Sequence, residues 1–95
     1  MPAITVLGQY CTGHGGFPPR PNTQASGDVF AEGISVHRIG DAWFQHCHDS
    51  TCHGGVTSSG SGSVFVNGVS IARIGDEISC GSKIAQGVGS VFAGG

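Results

Sequence analysis

His46 to His53 reads HCHDSTCH, three histidines and two cysteines within eight residues. Three chemistries use these residue types. Imidazole and thiolate are the ligands zinc prefers. A thiol beside an imidazole can act as a nucleophile activated by a base. Two cysteines can also close a small disulfide. Further candidates lie elsewhere: Cys11 and His14 in CTGHGG and Cys80 in ISCGS. Which chemistry applies depends on whether the chain brings these segments together.

The elements that must do so are announced by an internal repeat, which is sought before anything else. GDVFAEGISVHRIGD (Gly27 to Asp41) aligns without a gap on GSVFVNGVSIARIGD (Gly62 to Asp76) at an offset of 35 residues. The end of the chain, GSVFAGG (Gly89 to Gly95), repeats the first half of the unit. The beginning, ITVLGQ (Ile4 to Gln9), repeats the second half, with Gly8 matching Gly40 and Gly75. The third unit is thus split across the termini, which makes sense only if the chain closes into a pseudo-threefold ring. Each unit predicts a β-hairpin: apolar residues alternate with polar ones about Asn67-Gly68 or Glu32-Gly33, with Gly94-Gly95 in that place in the third, and Asn-Gly tolerates φ > 0 at both turn positions. No segment sustains the i, i+3, i+4 apolar pattern of a helix. The fold class is therefore all-β, one small domain over residues 1–95. Gly15 to Gly27 predicts a Pro-punctuated covering loop, and Gly54 to Ser63 a second loop or short irregular strand.

Counting from the repeat glycines assigns the chemistry. Six residues past Gly8 is His14, six past Gly40 is His46, and five past Gly75 is Cys80. Ring closure would gather these three positions at one end of the axis. A structural zinc site takes four N or S ligands. His53 can supply the fourth if HCHDSTCH turns back on itself. The expected set is His14, His46, His53 and Cys80 around Zn2+, with Cys11, Cys47, His48 and Cys52 as competing neighbours. A Cys47–Cys52 disulfide is the alternative in an oxidising compartment. His37, at the repeat position of Ala72, is expected on a strand surface, and Trp43 and Phe44 under the loop as core. Asp41 and Asp76 share one repeat position beside glycine and predict turn capping, not catalysis. No phosphate-cradling or oxyanion pattern supports an enzyme.

Composition agrees. Four basic residues and a net charge of -2 exclude the basic face that nucleic acid requires. The first ten residues, MPAITVLGQY, lack the charged start and apolar run of a Sec signal. No stretch approaches the ~18 apolar residues of a membrane helix. With 18 glycines and 38% hydrophobic residues, so short a chain predicts a small core in need of a staple such as a metal.

The three β units, the RIGD elements, the GH of residues 13–14, the Trp43 and His46 pair, the Cys52-His53 dipeptide and the Cys80-Gly81 dipeptide together resemble the PAAR-repeat family across essentially the whole chain. The name-giving tetrad stands here as Ser35-Val36-His37-Arg38 and Ser70-Ile71-Ala72-Arg73, and Gln9 replaces the usual Asp. The resemblance implies a cone-shaped domain with zinc near its apex, held by three His and one Cys at His14, His46, His53 and Cys80. It implies a non-enzymatic tip, one copy per trimer, on the β-helical spike of a type VI secretion system or contractile phage tail. Such a protein is made in the bacterial cytoplasm and meets the target membrane only transiently. With both termini inside the split repeat, any effector is expected to bind non-covalently. The other reading is a free-standing zinc-binding interaction domain.

Overall fold

The computed structural model describes all 95 residues. Six strands are present and no helix: β1 (Phe30–Ala31), β2 (Ile34–Ser35), β3 (Ala42–His48), β4 (Thr51–Val56), β5 (Phe65–Val66) and β6 (Val69–Ser70). They pair as three antiparallel hairpins, β1 with β2, β3 with β4, and β5 with β6. At the predicted turns, Glu32 and Gly33 take φ of 52° and 78°, and Asn67 and Gly68 take 55° and 81°. This is the left-handed pair that a two-residue hairpin turn demands.

The termini complete the third unit as the split repeat requires. Ala3 bridges Phe92 in antiparallel fashion, Ile4 N–H donates to Val91 O at 3.0 Å, and Ala93 N–H to Pro2 O at 3.1 Å. This pair lacks a covalent turn, since its two strands are the two ends of the chain. The three units then close on one another through a cycle of backbone hydrogen bonds. Thr5 N–H donates to Ala72 O at 3.0 Å, Ala72 N–H to His37 O at 3.0 Å, and His37 N–H to Thr5 O at 2.9 Å. A second cycle surrounds it: Leu7 to Ser35, Ile39 to Ser70 and Ile74 to Ala3, at 2.8, 3.0 and 2.9 Å. Strand edges that would otherwise stay open are thus taken by the neighbouring unit.

The core follows the same symmetry. Ile4, Val36 and Ile71, equivalent in the three units, are buried with Val6, Ala31, Val66, Val88 and Ala93. Each large aliphatic side chain so buried contributes about 1.5–3 kcal/mol. A second cluster, Cys11, Trp43, Ala72, Ile78 and Ile84, runs from the ring at Ala72 to Cys80 packed against it. The body is elongated, 38 × 23 × 23 Å, with the two equal widths a threefold object should have.

The repeat aspartates cap their turns and also bind the arginines. Asp41 Oδ2 accepts the Arg38 backbone N–H at 2.9 Å, and Asp76 Oδ2 accepts that of Arg73 at 2.8 Å. Their other oxygens meet the guanidinium groups at 2.9 and 3.0 Å. In the split unit Val6 replaces the arginine, and the neutral Gln9 Oε1 accepts the Val6 N–H at 3.0 Å. With no guanidinium to neutralise, an amide suffices there.

Two expectations need correction. His37 is not a surface residue but fully buried. Its repeat position faces the ring, where Thr5 and Ala72 are equally inaccessible. Trp43 is core as expected, but Phe44 is 57% exposed, because successive strand residues face opposite sides. HCHDSTCH does turn back on itself, as the closed end of the β3–β4 hairpin, with Asp49 at φ 55° in its turn. Gly54 to Val56 belong to β4, as the strand alternative for this segment allowed, and the loop follows them.

Candidate metal centre

Four segments deliver the site. His46 on β3 stands directly opposite His53 on β4. His14 arrives on the segment after the split unit, where Gly13 and Gly15 adopt φ of 71° and 53° and bend the chain sharply. Cys80 sits in the turn before Gly81, which takes φ 106°. The ligand atoms of His14, His46, His53 and Cys80 all lie within 4.8 Å of one another. His53 Nε2 is 2.7 Å from His46 Nε2 and 3.0 Å from His14 Nε2, and Cys80 Sγ is 3.9 Å from His46 Nε2.

Zn–N bonds of about 2.0–2.1 Å at tetrahedral angles space two nitrogens by about 3.4 Å, so the two short imidazole pairs would spread by roughly 0.4–0.7 Å around a shared cation. Protons satisfy the cluster poorly. His46 Nδ1 lies 2.8 Å from Pro18 O, so it carries the donating proton and leaves Nε2 bare. Such an outer partner fixes tautomer and ring orientation at metal-bound histidines. Burial holds the pKa of His46 and of His53 below the usual histidine value, favouring the neutral imidazole that binds metal. Burial alone would push the Cys80 thiol up, yet Ser82 and the Arg20 guanidinium outweigh it and draw the thiol below its usual value. The buried Ser82 hydroxyl has no hydrogen-bond partner of good geometry, though it stands close enough to Cys80 to contribute. The arrangement can hold a metal ion with four protein donors, which leaves no open position for a catalytic water.

The neighbours are sorted by the same geometry. Cys47 and Cys52 are bonded to each other as directly opposed residues of β3 and β4. The disulfide and the ligand cluster therefore coexist instead of competing. Adjacent strand positions alternate faces, so a disulfide on one side of the hairpin leaves the two histidines together on the other. Cys11 is fully buried and stands outside the four-residue cluster. His48 packs its ring against Gly16, where an added Cβ would lie 2.2 Å from Nδ1.

Sequence reasoning missed the layer behind the four clustered residues, which comes from the Pro-rich loop. The Phe17 ring centroid lies 4.9, 5.0 and 4.2 Å from those of His14, His46 and His53. Pro18 supplies the carbonyl that orients His46, and Arg20 Nη2 donates to Cys80 Sγ at 3.2 Å. FPPRP carried a signal in its rigid backbone, since two consecutive prolines fix where the carbonyl and guanidinium are presented.

A family model described as PAAR motif matches residues 9–86, a span that contains all four cluster residues. No curated protein matches the chain.

Proposed function

Because the chain belongs to the PAAR-motif family, whose members are structural spike-tip proteins, we propose that it caps and sharpens the trimeric β-helical spike of a contractile injection machine, of the type VI secretion or phage-tail kind. The observation that carries this reading is the closed ring of three equivalent units. A monomer built of three equivalent units can meet a trimer with the same contact made three times. Phe30, Phe65 and Phe92 occupy one repeat position and are 58%, 58% and 50% exposed. Three solvent-facing phenylalanines at symmetric sites supply the apolar contact such docking needs.

In this reading the whole chain is one non-enzymatic domain and the metal is zinc, at the pointed end. Mixed imidazole and thiolate donors in a tetrahedral set favour zinc. His14, His46, His53 and Cys80 would hold it, and it would tie together segments for which a chain of this size has too little core. The work is mechanical: the spike's end is closed and a rigid point is presented to the target membrane.

The test is to mix the protein with a trimeric β-helical spike fragment and count copies by native mass spectrometry. One chain per trimer is expected, and it should be lost when Phe30, Phe65 and Phe92 are all changed to Asp. No complex, or three chains per trimer, would overturn the reading.

A further inference from the structure

Arg20 is 4% exposed and has no carboxylate in salt-bridge reach, since the arginine ion pairs are Arg38 with Asp41 and Arg73 with Asp76. A buried guanidinium without a carboxylate is costly unless other acceptors hold it. Every part of the fork is nevertheless engaged. Nε donates to Phe44 O at 2.7 Å, Nη1 to Cys11 Sγ at 3.1 Å, and Nη2 to Cys80 Sγ at 3.2 Å. The group also lies over the Trp43 ring, 5.3 Å from its centroid. Cys11 in turn is fixed from behind, because its sulfur accepts the backbone N–H groups of Gly13 and Arg20, each at 3.4 Å.

We propose that Arg20 is the positioning residue of the metal centre, its planar fork bridging the ligand sulfur of Cys80 to the non-ligand sulfur of Cys11. The inference rests on the reading of His14, His46, His53 and Cys80 as metal ligands. Cys11 serves as the anchor that sets the angle of the fork. The fork holds Cys80 Sγ toward the histidines and gives its thiolate a charge-assisted donor. An N–H donor also lowers the energy of the sulfur lone pairs, making the bound thiolate a poorer nucleophile. Lysine cannot substitute, because an ammonium on a flexible stem cannot span two sulfurs and a carbonyl in one plane.

Cobalt(II) is the probe, since it takes zinc's place in tetrahedral sites and its sulfur-to-metal charge-transfer band reports the thiolate. Wild type, Arg20→Met and Arg20→Lys are loaded with cobalt, and affinity is measured by competition with a chromophoric chelator. Arg20→Met should weaken binding by about tenfold or more, as loss of an outer-shell partner does. Its charge-transfer band should shift to lower energy, with Arg20→Lys in between. A Met variant with wild-type affinity and band position would overturn the proposal. If Arg20→Met does not fold, Cys11→Ala keeps the guanidinium but removes its anchor. There the band should move while one cobalt per chain is retained, and an unmoved band overturns the proposal. A wild-type protein that takes up neither cobalt nor zinc would instead sink the metal reading itself.

Discussion

His46 and His53 stand directly opposite each other on β3 and β4 with their Nε2 atoms 2.7 Å apart, and the very next pair along the hairpin, Cys47 and Cys52, is covalently joined. Two of the four candidate ligands are therefore set by one local hairpin. The other two, His14 and Cys80, must be delivered by segments distant in sequence. A metal bound by all four would cross-link the hairpin to the rest of the fold.

Metal removal should therefore cost stability throughout the domain. The purified protein should carry one zinc per chain by elemental analysis, and His53→Ala and Cys80→Ser should each lose it or hold it loosely. A metal present at 100 to 1,000 times its dissociation constant adds about 2.7–4.1 kcal/mol. In a domain this small each kcal/mol is worth about 4–8 °C of Tm. A strong chelator should accordingly lower the melting temperature by more than about 10 °C. An unchanged Tm after chelation, or zinc retained in both variants, would show that the four residues do not form the site.

The disulfide invites a separate measurement. Closing so short a loop constrains the unfolded chain by about 2 kcal/mol. Reduction by a thiol reductant, or the Cys47→Ser and Cys52→Ser double variant, should lower Tm while zinc content stays at one per chain. Loss of zinc on reduction would mean that the two sulfurs, and not hairpin pairing alone, keep His46 and His53 facing each other.

Much of this was legible in the sequence, and the reason is symmetry. The repeat placed His14, His46 and Cys80 relative to Gly8, Gly40 and Gly75, so three of the four clustered residues followed from counting. Asn67-Gly68 and Glu32-Gly33 located two turns through local backbone preference. What was hidden breaks the repeat. His37 sits where the other units have Thr5 and Ala72, and nothing local reveals that its ring is swallowed by Trp43, Thr57 and Gln24. The β3–β4 hairpin outgrows its counterparts, which are isolated bridges at Tyr10–Pro21, His14–Phe17 and Glu77–Lys83, and its turn, Asp49-Ser50, lacks the usual glycine. Arg20 carries no signal of its role in the sequence, since its partners are sulfurs and a carbonyl and no carboxylate announces them.

Arg73 ties the C-terminal end into the ring. Its guanidinium donates to Asp76 Oδ1 at 3.0 Å and to Gly94 O, Gly60 O and Ala93 O at 3.1, 3.2 and 3.4 Å. Arg73→Met leaves the buried Asp76 carboxylate and these carbonyls short of donors, which should cost about 1–3 kcal/mol. Amide exchange at Ala93 should quicken more than at Ala72, because the split unit lacks a covalent turn to hold it. Equal quickening at both would show that the ring opens as a whole and that Arg73 does not secure the terminus in particular.

His37 should make stability fall on mild acidification. Its Nδ1–H donates to Gln24 O at 2.8 Å, and its Nε2 accepts from the Thr57 hydroxyl at 2.7 Å. That hydroxyl oxygen accepts the Trp43 Nε1–H at 2.9 Å, so the chain is complete only with a neutral imidazole. Burial lowers the pKa of His37, and of the charges facing it Arg38 lowers it further while Asp41 opposes. The unfolded chain therefore binds a proton more readily than the folded one. The contribution is complete above the ordinary histidine value of about 6.5 and is lost as pH falls from there through the depressed folded value. Melting temperatures of wild type and His37→Ala should be compared from neutral pH downward at saturating zinc, so that ligand titration enters both curves alike. The variant should be less stable near neutrality, by about 1–3 kcal/mol for the groups left unpaired. The gap should then narrow as the pH drops. A gap that stays constant or widens would mean that His37 is protonated in the folded ring and that the Thr57 hydroxyl points elsewhere.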